Sequence, residues 1–198
     1  MKRVLCFGDS NTFGYNPHNG SRYAKDIRWP CVLSNCLGTH FEVIEQGLNG
    51  RCVLDSLSAF KKIINEYDPL DIVIIFLGVN DVLFTPDKPI SKIISGIDSM
   101  CQSLSESSSK SKSPCPTIIL MAPIQINCEC VKEQGLWLES EKLLRLSPAI
   151  KELAKISKCH FFDPSIKIKS SKIDGIHLEP EEQIKLGKQM ASFIKEQL

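Results

Sequence analysis

Five short apolar runs recur along the chain, with longer amphipathic stretches between them. Val4 to Phe7 ends at Gly8-Asp9-Ser10, and Phe41 to Ile44 leads into Gln46-Gly47. Asp71 to Leu77, rich in β-branched residues, is closed by Gly78; Thr117 to Met121 is closed by Ala122-Pro123, and His160 to Phe162 by Asp163-Pro164. Continuous rather than alternating apolarity predicts strands buried on both faces of a parallel sheet. The stretches 30–37, 55–67, 90–104, 140–157 and 180–197 predict helices. Leu57, Phe60, Ile63 and Ile64 share one face of the second. The last opens on Glu179-Pro180-Glu181-Glu182, acids and a proline at a helix start, before Ile184, Leu186, Met190 and Ile194. Alternating strands and helices imply βαβ units with right-handed crossovers, hence a doubly wound α/β domain on a five-stranded parallel sheet. The stretch 103–116, serine-rich and studded with lysine, departs from this pattern and predicts a solvated, mobile loop before the fourth strand.

At 198 residues the chain has the length of one domain, spanning 1–198. Twenty-four basic against 23 acidic residues leave a formal charge of +1, which argues against a nucleic-acid partner and against strong electrostatic steering. No apolar run approaches the roughly 20 residues needed to span a bilayer. The amino terminus lacks a secretory leader's apolar core and cleavage site, so a soluble, cytoplasmic protein is expected. Nine cysteines, an odd number without a C-x-x-C pair, read as reduced thiols rather than a disulfide framework. Only Cys128-Glu129-Cys130 is close-set, with one intervening residue where zinc sites use two or more, so neither metal nor organic cofactor is expected. Oligomeric state is not legible, because interface and core apolar residues look alike.

Phosphate-binding loops, G-x-G-x-x-G, H-E-x-x-H and the G-x-S-x-G elbow are all absent. In an open α/β sheet ligands bind at the carboxyl ends of the strands, which directs attention to the polar residues after each apolar run. These are Gly8-Asp9-Ser10-Asn11-Thr12, Gln46-Gly47-Leu48-Asn49-Gly50-Arg51, Gly78-Val79-Asn80-Asp81 and, before the last helix, Asp174-Gly175-Ile176-His177. Each alone is ordinary turn or cap chemistry. Together they supply what a serine nucleophile needs: a neutral imidazole, an acid that fixes its tautomer, and donors for an oxyanion. His40 and His160 stand at the amino ends of strands, and His18 has no well-spaced carboxylate, which leaves His177 as base and Asp174, three residues earlier, as its orienter. Asp9 adjoins Ser10 and reads as structural. The Ser10 amide, the Gly50 amide (which no Cβ would shield) and the Asn80 side chain are the candidate oxyanion donors.

These four blocks, in this order, resemble the SGNH (GDSL-type) esterase and lipase superfamily over the whole chain. The resemblance implies a three-layer α/β/α, flavodoxin-like fold, with Ser10 as nucleophile, Gly50 and Asn80 in the oxyanion hole, and Asp174 and His177 as the dyad. The contexts of residues 8–15, 22–30 and 45–51 resemble the intracellular arylesterase-type branch, which implies small or aryl esters as substrates and some acyl transfer to alcohols.

Phe13, Tyr15, Trp29, Val79 and Phe84 lie in or near the reactive blocks and are candidates to line an acyl pocket, against ordinary core packing. Arg28 reads as a structural charge paired with Asp26, with a substrate clamp as the alternative. Lys167 to Lys172 reads as a solvated loop, with acidic-substrate recognition as the alternative. The expected chemistry is ester hydrolysis through an acyl-enzyme on Ser10. The rate should fall on acidification as His177 gains a proton. Sugar deacetylation, thioester hydrolysis or lysophospholipid cleavage are the rival specificities. An inactive binding module on the same fold is the non-enzymatic rival, and a redox or metal protein built on the cysteines is a further one.

Overall fold

The computed structural model describes residues 1–85, 87–127, 129–130 and 137–197. Strands β1 (Lys2–Gly8), β2 (Phe41–Gly47), β3 (Ile72–Phe76), β4 (Thr117–Met121) and β5 (His160–Phe162) pair in parallel in the order β2-β1-β3-β4-β5. Helices α1 (Ser10–Phe13), α2 (Trp29–Leu37), α3 (Leu57–Glu66), α4 (Val79–Phe84), α5 (Ile90–Ser111), α6 (Trp137–Ile156) and α7 (Pro180–Gln197) connect or follow them, with 3₁₀ turns at Leu54–Ser56 and Pro164–Ile166. This is a single five-stranded α/β/α domain, as the apolar pattern implies.

Successive strand residues point to opposite faces, so each central strand feeds two cores. Leu5, Phe7, Val73, Ile75 and Leu120 pack with Phe60, Ile93, Ile97, Met100, Leu146 and Ile150 from α3, α5 and α6. Val4, Cys6, Ile72, Ile74, Phe76 and Ile119 pack with Trp29, Leu33, Leu186, Met190 and Ile194 from α2 and α7. Burying each such side chain is worth roughly 1.5–3 kcal/mol before entropy is set against it. Double-sided burial holds for β1, β3 and β4, whereas the edge strands β2 and β5 are largely half-exposed.

The serine-rich stretch corrects the sequence expectation. Helix α5 runs on to Ser111 instead of ending near Leu104, leaving only a short connection to β4. Ile93, Ile97, Met100, Leu104 and Ser108 continue one buried stripe at helical spacing, and serine is small enough to hold its place in it. The hydroxyls of Ser99, Ser103, Ser109 and Ser111 bond back to the carbonyls four residues earlier, so the polar side chains are satisfied inside the helix. Two further differences are additions: α1 and α4 are too short for apolar periodicity to reveal.

The register levels Gly8 with Gly47 on one side and with Phe76 on the other. Sequential connections leave β1 in opposite directions, so the switch point of the sheet falls between β1 and β3. Helix α1 sits on this edge, and two glycines make room for it. A Cβ on Gly47 would lie 2.1 Å from the Phe13 amide nitrogen, and one on Gly8 would lie 2.0 Å from Thr12 Oγ1. Because the Gly47 clash is with backbone, Gly47→Ala should lower stability by about 1–3 kcal/mol or more, read as a lower urea midpoint with an unchanged slope. An unchanged midpoint would mean that α1 is free to move off the edge.

Candidate active site

Helix α1 begins where β1 ends. Asp9 is its N-cap: the carboxylate accepts from Asn11 N–H at 2.9 Å, and its carbonyl accepts from Thr12 and Phe13 N–H at 3.1 and 2.9 Å. Of the four amides that open the helix, that of Ser10 is left with no acceptor among the described residues. Ser10 itself is 4% exposed. Gly14, at φ +82°, turns the chain out of α1 over the Arg28 side chain, a combination only glycine satisfies.

Asp174 and His177 form a compact turn. One carboxylate oxygen accepts from Ile176 and His177 N–H at 2.9 and 3.0 Å, and the other faces His177 Nδ1 at 2.6 Å. With Nδ1–H donating to that carboxylate, Nε2 is left as an acceptor, and it lies 2.9 Å from Ser10 Oγ. Burial pushes the Asp174 carboxyl up, but the His177 ring and the two backbone donors outweigh it and hold the group below the usual range. Tyr15 packs its ring on that of His177, centroids 4.2 Å apart and tilted by 36°.

The second and third blocks meet across the same edge. Asn80 Nδ2 donates to Arg51 O at 3.1 Å, which engages one of its two N–H groups and leaves the other. Both Asp81 oxygens accept from Val53 N–H, so the Asn80-Asp81 pair fixes the loop that follows β2. Gly50 is exposed, with φ +71° and open space where a Cβ would be, so its conformation rather than close approach requires glycine there. Arg51 lies beneath the site. Its guanidinium covers the Phe7 ring at 4.1 Å and donates to Gly8 O at 2.9 Å and to Gln46 O, joining the ends of β1 and β2.

The structure therefore brings Ser10, His177 and Asp174 into one hydrogen-bonded chain and sets Asn80, at the start of α4, and Gly50, in the loop after β2, at the same edge. The substrate-side candidates divide. Phe13 lies under the Arg22 guanidinium at 4.6 Å, Tyr15 is on the His177 ring, and Phe84 is 66% exposed at the end of α4. Trp29 is fully buried against Phe76, and Val79 belongs to the core on the opposite face of the sheet, so both are corrected from pocket to packing. Three further readings change. Arg28 pairs bidentately with Glu45, both contacts at 2.8 Å, rather than with Asp26. His18 does have a carboxylate, Glu179 at 2.8 Å, 161 positions away. The 167–172 segment carries its lysines outward but is anchored by buried Ile168 and Ser171. Arg51, Glu179 and Gln183 carry no functional signal of their own in the sequence, although Arg51 directly follows the Asn49-Gly50 turn and α7 comes directly after the Asp174–His177 block. The eight described cysteines are free thiols, and Cys128 lies outside the described residues. Among the described residues no cluster of His, Cys, Asp and Glu offers a metal site, and no helix is long and apolar enough to cross a membrane.

A model of the GDSL-like lipase/acylhydrolase family matches residues 6–183. Among solved structures, an aryl esterase from M. smegmatis is 30% identical with a TM-score of 0.90, each chain covered in full. A carbohydrate acetylesterase from Sinorhizobium meliloti is 29% identical with a TM-score of 0.89, again over the whole of both chains. A carbohydrate acetylesterase family member from the same organism is 27% identical with a TM-score of 0.91, covering 99% of this chain and 98% of its own. A search of curated proteins finds no match.

The charges beneath Ser10 give the site a distinctive acid response. Burial pushes the Asp9 carboxyl from 3.8 up to about 6, against the Asn11 N–H, His177 and Arg51, which favour the ion. Between these values the unfolded chain has released a proton that the folded chain still holds, so this group makes stability fall as pH rises from about 4 to 6, and level off above. Asp174, held low, acts in the opposite sense and in a lower window: its contribution is present above pH 3.8 and is lost as pH falls through its depressed value. Asp9→Asn keeps an acceptor for the Asn11 N–H and removes the first effect. Urea denaturation across pH 4–7 should show the variant gaining on wild type by on the order of 2 kcal/mol with rising pH. Parallel profiles for the two proteins would refute the assignment.

Proposed function

The chain belongs to the GDSL-like lipase/acylhydrolase family and is a carboxylic ester hydrolase, and we propose that it is a serine esterase that cleaves small or aryl esters through an acyl-enzyme on Ser10. The observation that carries the reading is the unbroken chain Ser10 Oγ to His177 Nε2 (2.9 Å) and His177 Nδ1 to Asp174 Oδ2 (2.6 Å). His177 takes the Ser10 proton as Oγ attacks the ester carbonyl, and Asp174 stabilises the imidazolium that forms. The free Ser10 N–H, the Gly50 N–H and the uncommitted Asn80 N–H receive the oxyanion of the tetrahedral intermediate. Collapse of that intermediate expels the alkoxide, which leaves as alcohol with the proton held by His177. Water, deprotonated by the same ring, then attacks the acyl carbonyl; the bond to Ser10 Oγ breaks, the acyl group leaves as the carboxylic acid, and Ser10 recovers its proton from His177. No step requires a metal or an organic cofactor.

Likeness to the mycobacterial aryl esterase favours aryl and short acyl esters. Near-equal likeness to a carbohydrate acetylesterase supports a second reading, removal of acetyl groups from sugars by the same machinery. Hydrolysis of p-nitrophenyl acetate compared with that of a peracetylated sugar separates the two.

A fluorophosphonate should label wild type and leave Ser10→Ala unmarked. On an aryl acetate, Ser10→Ala should lose about six orders of magnitude in kcat. Asp174→Asn should lose roughly 10⁴-fold, and Asn80→Ala about 10²–10³-fold. Labelling that persists in Ser10→Ala would place the nucleophile elsewhere.

A further inference from the structure

The Ser10–His177 contact joins residues 167 positions apart, and no shared backbone element sets its length. Besides one direct contact, Asn11 Nδ2 donating to Ile176 O at 3.5 Å, the two sides are joined through the start of α7. Gln183 is fully buried: its Oε1 accepts from Trp29 N–H at 3.0 Å, and its Nε2 donates to Asn11 O at 3.0 Å, one residue beyond Ser10. Glu179, immediately before α7 and bonded to Gln183 through its carbonyl (2.9 Å), reaches the other side. One of its oxygens accepts from the buried Ser171 hydroxyl. Ser171 in turn closes the His177 loop: its N–H donates to His177 O at 2.7 Å, its carbonyl accepts from Gly175 N–H at 3.0 Å, and its Oγ accepts from Ile173 N–H at 2.9 Å. The second Glu179 oxygen accepts from His18, in the loop that follows Tyr15, whose ring lies on that of His177.

We propose that Glu179 and Gln183 are positioning residues for acyl transfer: one turn of α7 holds the nucleophile helix with Gln183 and the His177 loop with Glu179, and so sets the separation of Ser10 Oγ from His177 Nε2. The proposal rests on the esterase reading for its kinetic consequence, but its geometric content stands apart. Glu179 touches neither Ser10 nor the His177 ring directly, and its carboxylate serves donors from two different loops, whereas simple capping of α7 would occupy it with that helix's own amides.

Because Gln183 is fully buried and its removal risks the fold, the Glu179 side carries the test. Glu179→Ala should lower kcat on an aryl acetate by about 10²-fold, the scale of a misplaced reacting pair, with KM and melting temperature nearly unchanged. Glu179→Gln retains an acceptor for Ser171 and a polar group within reach of His18 Nε2, and should restore most of the rate. Ser171→Ala should lower kcat likewise, and the double variant Glu179→Ala/Ser171→Ala should be no slower than the worse single one, since both break the same link. The His177 ring signals, read by ¹H–¹⁵N NMR, should shift in Glu179→Ala. A kcat within twofold of wild type, or one that falls only with the folded fraction, overturns the proposal. If wild type itself turns over no ester, the esterase reading fails and the NMR decides alone: shifted His177 signals uphold the positioning role, and unchanged ones reject it.

Discussion

A hydroxyl on helix α1 and an imidazole on a loop near the other end of the chain, held 2.9 Å apart, place the tightest demand on this molecule. Hydrogen-bond length tolerates errors of only a few tenths of an ångström. The sheet register supplies the first constraint by ending β1, β2 and β3 level. Gly8 and Gly47 supply the second, because only bare backbone lets α1 settle onto that edge. The Asp174 turn supplies the third, spending one carboxylate oxygen on backbone and the other on the ring, so that position and tautomer are fixed by the same group.

Directly below lie charges that a stability optimum would omit. Asp9 and Arg51 are both buried, burial pushes the first up and pulls the second down, and Asp81 is pushed up in the same way. Removing ionised groups from water costs several kcal/mol each even after relaxation. The compensation is local: Asn11 N–H for Asp9, Val53 N–H for Asp81, and two strand-end carbonyls for Arg51. All three serve the loops that bear Ser10, Asn80 and Gly50. Polar groups fixed in a poorly solvated setting need not reorganise when charge develops above them, which is where such an arrangement lowers a barrier. The exposed Lys155–Glu152 pair at 4.0 Å, by contrast, contributes little to anything.

What could be read from sequence follows the range of the interactions. Strand positions emerged because continuous apolarity is a local signal, and Thr117–Met121, His160–Phe162 and Pro180–Gln197 needed no adjustment. Asp174 and His177 could be linked because three residues fit in one turn. Pairings across the chain could not: nothing in the neighbourhood of His18 announces Glu179, and Arg28 beside Asp26 suggests the wrong partner when Glu45 waits on an adjacent strand. Composition misled at Ser103–Ser111, where polarity argued for loop and i−4 hydroxyl bonds with a buried stripe made helix. Trp29 shows the same limit from the apolar side, since an aromatic next to a reactive block is indistinguishable in sequence from one that packs beneath it.

That limit also explains why the reaction is easier to read than the substrate. The groups proposed to carry the reaction are over-determined: Ser10 and Asn80 are almost wholly enclosed, His177 and Asp174 are part-buried, and each is bound to a named partner, so their identities are constrained by chemistry and geometry together. The apolar side chains that crown the same sheet edge, Leu48 after β2, Phe84 after β3 and Ile173 after β5, are exposed and make no such demands. A replacement there changes what rests against the site without disturbing a buried hydrogen bond, and costs little in stability. Chains with the same blocks can thus share the proton relay and part company over esters, which is how one chain can stand equally near an aryl esterase and a carbohydrate acetylesterase.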